Sequence, residues 1–187
     1  MTTTNRTRCA WVDLDNELYV RYHDEEWGKP VHNDQKLFEL LILENFQAGL
    51  SWECILNKRE NFRRAYEGFD VKHVASYTEA DEERLKQDAG IVRNRLKIHA
   101  SIVNSKVFMT LQQEYGTFDK YIWHFTDGKV INEPWNLRTT SPLSDAVSAD
   151  LRKRGMKFVG STIIYSYLQA IGAINAHSEE CYLHPKP

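Results

Sequence analysis

Apolar residues recur at spacings of three and four along nearly the whole chain, and no stretch alternates apolar with polar residues long enough to read as a half-buried strand. The pattern predicts an all-α fold, helix after helix, with nothing that demands a sheet. Asn33 is placed to cap a helix over 34–48 whose stripe holds Leu37, Leu40, Leu41 and Ala48, and Ser51 to cap the next, with Trp52, Ile55, Leu56, Phe62 and Tyr66 facing inward. Thr78 and Asp81 form a capping-box pair that opens an acidic helix ending near 88, after which Gly90 breaks the pattern. The longest helix follows over 95–115, with Ala100, Val103, Val107 and Leu111 on one face and Gly116 as its stop. A long loop covers 127–143. Ser144 is then expected to cap a helix ending at Gly155, and Ser161 one that carries Ile164, Tyr167, Leu168, Ile171 and Ile174.

With 187 residues and no linker or repeat, the chain suits one domain, 1–187, with a flexible tail at 1–8. Its 42% hydrophobic content fills a continuous core and excludes a disordered protein. No apolar run approaches the roughly 18 residues a membrane span needs, and the start lacks the apolar segment of a secretion signal. A soluble intracellular protein without a membrane partner is expected. Three cysteines, odd in number and far apart, argue for free thiols or metal ligation over a disulfide framework. The 24 basic and 26 acidic side chains leave a net charge of −2, so no global excess draws the chain to nucleic acid. Local charge differs: 13–39 holds eight acidic residues against three basic, whereas 84–106 holds six basic against one acidic. A second basic knot is formed by Arg152, Lys153, Arg154 and Lys157. Such runs are commonly solvated helix faces, but two of them could form one anion-binding face.

Three constellations carry chemistry. In 85–98, LKQDAGIVRNRLKI, a short helix, a turn at Gly90 and a long helix starting near Asn94 offer free backbone N–H groups beside Arg93, Arg95 and Lys97, a geometry that binds phosphate oxygens without reading sequence. It looks like a helix-hairpin-helix element, although Asp88-Ala89-Gly90-Ile91-Val92 lacks the usual second glycine. Glu44 falls on the apolar stripe of its helix, where a carboxylate needs a partner unless the stripe ends there at a solvent rim. Gln47-Ala48-Gly49-Leu50-Ser51-Trp52 follows it, so that a carboxylate, an amide and an indole gather around one turn and suit an uncharged-to-cationic planar ligand. Finally, His177 and Cys181 are four apart, and Cys9 with His23 could complete a Cys2His2 set that clips the chain ends together. His184, His32 and Cys54 are rival ligands, and four protein ligands would leave no open position for a zinc hydrolase.

CAWVDLDNELYVRYHDEEWG (9–28), LENFQAGLSW (43–52), KRENFRRAY (58–66), QDAGIVRNRLKI (87–98) and RKRGMKFVGSTIIYSYLQAIGAINAH (152–177) closely resemble the DNA-3-methyladenine glycosylase I family, in family order from Cys9 to Cys181. The resemblance implies the all-helical fold of the helix-hairpin-helix glycosylase superfamily, with a zinc-binding appendage over 9–28 and 161–184 joining the termini. It implies a monofunctional hydrolase that excises 3-methyladenine from double-stranded DNA in base excision repair. The free base would be the product and the enzyme an intracellular, nucleoid-associated monomer. By the same resemblance Cys9, His23, His177 and Cys181 hold one structural Zn2+, Glu44 is the catalytic carboxylate facing the base, and Tyr22 and Trp52 are the aromatic walls between which the cationic ring lies, with Trp11 nearby. Gly49 and Leu50 would fill the gap left by the flipped base, while Gly90, Arg93 and Arg95 grip the DNA backbone. Phe46 and Asn45 depart from the glutamine and glycine found in relatives, which bears on the pocket lining. Asp145 reads as a first-turn helix residue and not as a substitute for the superfamily's catalytic aspartate. The competing class is a non-catalytic, zinc-stapled helical module that senses distorted duplex.

Overall fold

The computed structural model describes residues 6–133 and 138–185. Nine α-helices are found among them: α1 (Glu17–Glu25), α2 (Asp34–Gln47), α3 (Trp52–Ala65), α4 (Val71–Ala75), α5 (Glu79–Gln87), α6 (Arg95–Tyr115), α7 (Phe118–His124), α8 (Pro142–Lys153) and α9 (Ser161–Ala170). Among the described residues no helix is long and apolar enough to cross a membrane. The local signals read from the sequence set several boundaries. Asn33 accepts from the Lys36 N–H, Ser51 from that of Cys54, Thr78 and Asp81 close a capping box, and Gly116 ends α6 at a positive φ of 87°.

Two expected caps differ. Ser141, not Ser144, caps α8; Ser144 is the third helical residue and returns the bond to the Ser141 N–H, with Pro142 preset in the first turn. Gly160 precedes α9, so Ser161 is its first residue and makes no capping bond. Ile171 lies just past that helix, and Ile174 belongs to β2 (Ile174–Asn175), which pairs in parallel with β1 (Ile131–Asn132), Ile131 opposite Ile174. A small sheet therefore exists where none was expected. Part of the 127–143 loop, residues 134–137, lies outside the described residues, as do residues 1–5 of the expected tail. Within that tail, Arg8 is paired in two places with Asp24, and the Tyr182 N–H donates to the Thr7 carbonyl.

α2 is the axis of the molecule. Leu37 through Phe46 are all buried, so this helix is enclosed on every side and not packed by a single stripe. α3, α6 and α9 surround it. In α6 the buried face is Ile98, Ser101, Ile102, Asn104, Ser105, Phe108 and Leu111; Ala100 is buried too, but Val103 and Val107 are only half-buried. Beside the site, Arg59 on α3 is buried and forks onto both oxygens of Glu26 at 2.9 Å while its Nε meets Glu39 at 2.6 Å. Burial alone would push the Glu26 carboxyl up, but the guanidinium outweighs it and holds the group at about 2. The end of α1, the middle of α2 and α3 are thereby fixed together by charge-assisted bonds.

Candidate active site

A cavity of about 220 Å3 opens where α1, the end of α2, the start of α3 and α9 converge. At roughly 30 Å3 per water it has the room of about seven waters, the scale of one bicyclic heteroaromatic ring. Trp11, Tyr19, Tyr22, Trp27, Glu44, Gln47, Trp52, Ser166 and Gln169 line it. Glu44 is 3% exposed and among the described residues its Oε2 meets no hydrogen-bond partner; the Trp52 Nε1 is likewise buried and without a partner among them. Of the two readings open for Glu44, the solvent rim is wrong. Desolvation pushes its pKa from 4.5 to about 8, so the pocket holds a carboxyl that a cation or a donor would convert to carboxylate.

Tyr22 and Trp52, the two expected aromatic walls, both line the cavity, their ring centroids 5.1 Å apart and tilted by 45°. Trp11, Tyr19 and Trp27 supply further aromatic surface around it. Tyr19, Trp27, Ser166 and Gln169 were not singled out from the sequence. Ser166 and Gln169 carry the same signal that marks Glu44, polar residues three apart on a strongly apolar helix. Phe46 and Asn45 do not line the pocket. Phe46 packs on Phe62 at 4.8 Å, and Asn45 donates to the Phe158 carbonyl and accepts from Asn104, tying α2 to α6 and to the α8–α9 connection.

Gly49 and Leu50 lie in the turn between Gln47 and Trp52, which both line the cavity. The Leu50 N–H donates to the Gln47 carbonyl at 2.7 Å, the Gln47 side chain donates back to the Leu50 carbonyl, and Gly49 takes a φ of 78° that a side chain would strain. Leu50 is left 40% exposed. At the second element, Gly90 is needed for close approach, since a Cβ there would stand 3.1 Å from Asn61 and 2.9 Å from the Asp88 carboxylate. Arg93 and Arg95 are exposed beside it, and among the described residues no acceptor meets the Val92 or Arg93 N–H. Lys58 and Lys86, not anticipated, border the same groove. Lys97 does not join this cluster: it is buried, with its ammonium on the Phe46 carbonyl at 2.8 Å and on that of Ala48.

Cys9, His23, His177 and Cys181 meet as expected. All four are buried, and their ligand atoms lie within 4.8 Å of one another, a group that could hold a metal ion. His32, His184 and Cys54 are not part of it. His23 presents Nε2 to the group while its Nδ1 faces Asp24 at 2.8 Å, and His177 presents Nδ1. The cluster also abuts the pocket. Trp27 stands edge-on to His177 at 4.7 Å and Trp11 to His23 at 5.3 Å.

A mostly helical fold around an aromatic pocket with one orphaned carboxylate defines a protein that takes in a flat heteroaromatic ring. The family profile of methyladenine glycosylases matches residues 11–184. DNA-3-methyladenine glycosylase 1 of Escherichia coli (strain K12) is 45% identical over 185 residues, covering 95% of this chain and 97% of the relative. The DNA-3-methyladenine glycosylase of Haemophilus influenzae is 40% identical over 179 residues, covering 94% and 96%. A crystal structure of 3-methyladenine DNA glycosylase I superposes with a TM-score of 0.91 at 44% identity, over 96% of this chain and 100% of that one. The Staphylococcus aureus enzyme, whose structure addresses 3-methyladenine recognition, gives 0.91 at 34% identity over 96% and 97%. The chain belongs to the methyladenine glycosylase family.

Proposed function

We propose that this chain hydrolyses the N-glycosidic bond of 3-methyladenine in alkylated duplex DNA, as an intracellular monofunctional enzyme of base excision repair. The observation that carries the reading is Glu44, a buried carboxyl with an unpartnered oxygen in an aromatic cavity of purine size. Methylation at N3 leaves the adenine nucleotide positively charged, so its glycosidic bond is already weakened and the base departs neutral without a general acid. Selection is then the main task. Flipping a damaged nucleotide costs a few kcal/mol, and the cation gains from the aromatic rings and from the Glu44 carboxylate, which also accepts from the exocyclic amine. Neutral adenine gains less. Water is the nucleophile, since among the described residues no lysine lines the cavity to form a Schiff base. Release of free 3-methyladenine from methylated duplex DNA by the purified protein tests the reading; binding of such DNA without release would make it a damage sensor instead.

The α5–turn–α6 segment, 85–98, serves in this reading as the helix-hairpin-helix that holds backbone phosphates. The open N–H groups of Val92 and Arg93 and the exposed Arg93 and Arg95 support it. Arg93→Ala or Arg95→Ala is expected to weaken damaged and undamaged duplexes alike and to lower the salt slope of binding by about one for each phosphate that the variant no longer neutralises. A changed preference for the damaged base at unchanged salt slope would contradict the assignment.

Cys9, His23, His177 and Cys181 would hold one structural Zn2+. A tetrahedral zinc with Zn–S of about 2.3 Å and Zn–N of about 2.0 Å sets sulfur and nitrogen about 3.5 Å apart. Three such pairs stand at 3.5 Å here. Asp24 completes the arrangement by orienting His23 and is itself forked by Arg8. Four protein ligands leave the ion no part in the chemistry.

A further inference from the structure

Lys97 breaks a local rule. It lies in the first turn of α6, where the helix dipole disfavours a cation, and it is 7% exposed, where an ammonium is costly. Neither cost is offset within its own helix. The compensation comes from 49 and 51 positions away: its Nζ donates to the Ala48 and Phe46 carbonyls at the end of α2, where the turn through Gly49 bonds the Gln47 carbonyl and not these two. Those carbonyls are among the unpaired acceptors at a helix C-terminus, where the dipole favours a cation. Desolvation pulls the lysine below its ordinary pKa, and no other side chain contributes to that shift.

The location of this clamp links two parts of the site. α2 carries Glu44 one turn before the clamp and runs straight into the Gln47–Leu50 turn, which leaves Leu50 exposed between the pocket-lining Gln47 and Trp52. α6 begins two residues before Lys97 at Arg95, capped by Asn94 directly after the Gly90–Arg93 turn. We propose that Lys97 is a positioning residue for base excision: it locks the Gln47–Leu50 turn to the start of α6, so that seating of the 88–95 segment on the DNA backbone sets Leu50 in register with the duplex. This rests on the reading of the site given above. Lys97 does not line the pocket, and burial is the sole cause of the Glu44 shift, so the lysine acts on the entry of the nucleotide and not on the affinity for a free base.

The test compares Lys97→Met, Lys97→Arg, Leu50→Ala and the Lys97→Met/Leu50→Ala double variant with the parent. Single-turnover excision from a methylated duplex and binding of free 3-methyladenine are both measured. Lys97→Met is expected to excise at least about tenfold more slowly, since misplacements near 1 Å have effects up to a hundredfold, while its free-base Kd stays within about twofold. Lys97→Arg, which keeps a cation for the two carbonyls, should restore most of the rate. The double variant should be no slower than the slower single one, because both residues act in one step. Equal losses of excision and free-base binding, additive effects in the double variant, or failure of both Lys97 variants to fold would each overturn the proposal and leave Lys97 a core ion. Absence of excision by the parent would instead overturn the glycosylase reading.

Discussion

Replacing Glu44 by Gln is expected to slow 3-methyladenine release from methylated duplex DNA about a hundredfold, the effect of removing one preorganised electrostatic partner, without lowering the stability of the fold. Gln keeps the size and one acceptor but removes the charge that opposes the cationic ring. The stability half of the prediction has a sign that can be worked out. Burial raises this carboxyl from 4.5 to about 8, and no group among the described residues counteracts it. Below pH 4.5 the group is protonated in the folded and unfolded chain alike. Between 4.5 and about 8 the unfolded chain ionises it while the fold holds it neutral, so the parent loses stability as pH rises through that window. The Gln variant has no such loss, and its advantage in Tm over the parent should grow from pH 5 to pH 8. Catalysis moves the other way. A cationic nucleotide needs the carboxylate, so kcat/KM of the parent should climb as pH approaches about 8, and that of the variant should lack the limb. Melting curves and single-turnover rates over this range check both halves. Excision at the parent rate together with a fall in Tm would make Glu44 a structural partner and remove the pocket from the mechanism.

What was legible in the sequence divides by the range of the interactions involved. Caps are local, so Asn33, Ser51, the Thr78–Asp81 pair and Gly116 could be read from a few neighbouring residues. α4 and α7 are five and seven residues long, too short for a helical period to be expressed, and the polar run of α1 hides the face that carries Tyr19 and Tyr22. The β1–β2 pairing joins two-residue strands distant in sequence and leaves no alternation to detect. The site shows the same division. Glu44 stood out because a carboxylate among leucines violates its own surroundings, whereas Lys97 looked like one more cation in a basic run. Its identity as a buried clamp depends on carbonyls that only the folded chain brings near. The meeting of Tyr22 and Trp52 at the cavity is likewise tertiary, since they lie on different helices.

Removing the proposed zinc with a chelator, or replacing Cys181 by Ala, is expected to lower Tm by roughly 10–20 °C, following from a cross-link energy of about 5 kcal/mol at ~2–4 °C per kcal/mol for a chain of this size. The loop closed between Cys9 and Cys181 spans about 170 residues, nearly the whole chain, and long loops gain most from being clipped. An ion that did no more than clip the chain ends together would leave base binding alone, but the four ligands adjoin the pocket. His23 and His177, which the metal would hold, are the rings against which Trp11 and Trp27 stand, and both tryptophans line the pocket. Losing the ion frees the imidazoles and with them the aromatic surface, so free-base affinity should weaken even at temperatures where the apoprotein is still folded. Metal analysis, melting curves with and without chelator, and 3-methyladenine titrations well below the apoprotein's Tm separate these effects. Protein purified without chelator that carries no zinc, or a Tm that chelation leaves unmoved, would mean that the four buried ligands pack as thiols and neutral imidazoles without an ion. Chelation that lowers Tm yet leaves base affinity intact would confine the metal to the ends of the chain and return the pocket walls to their own packing.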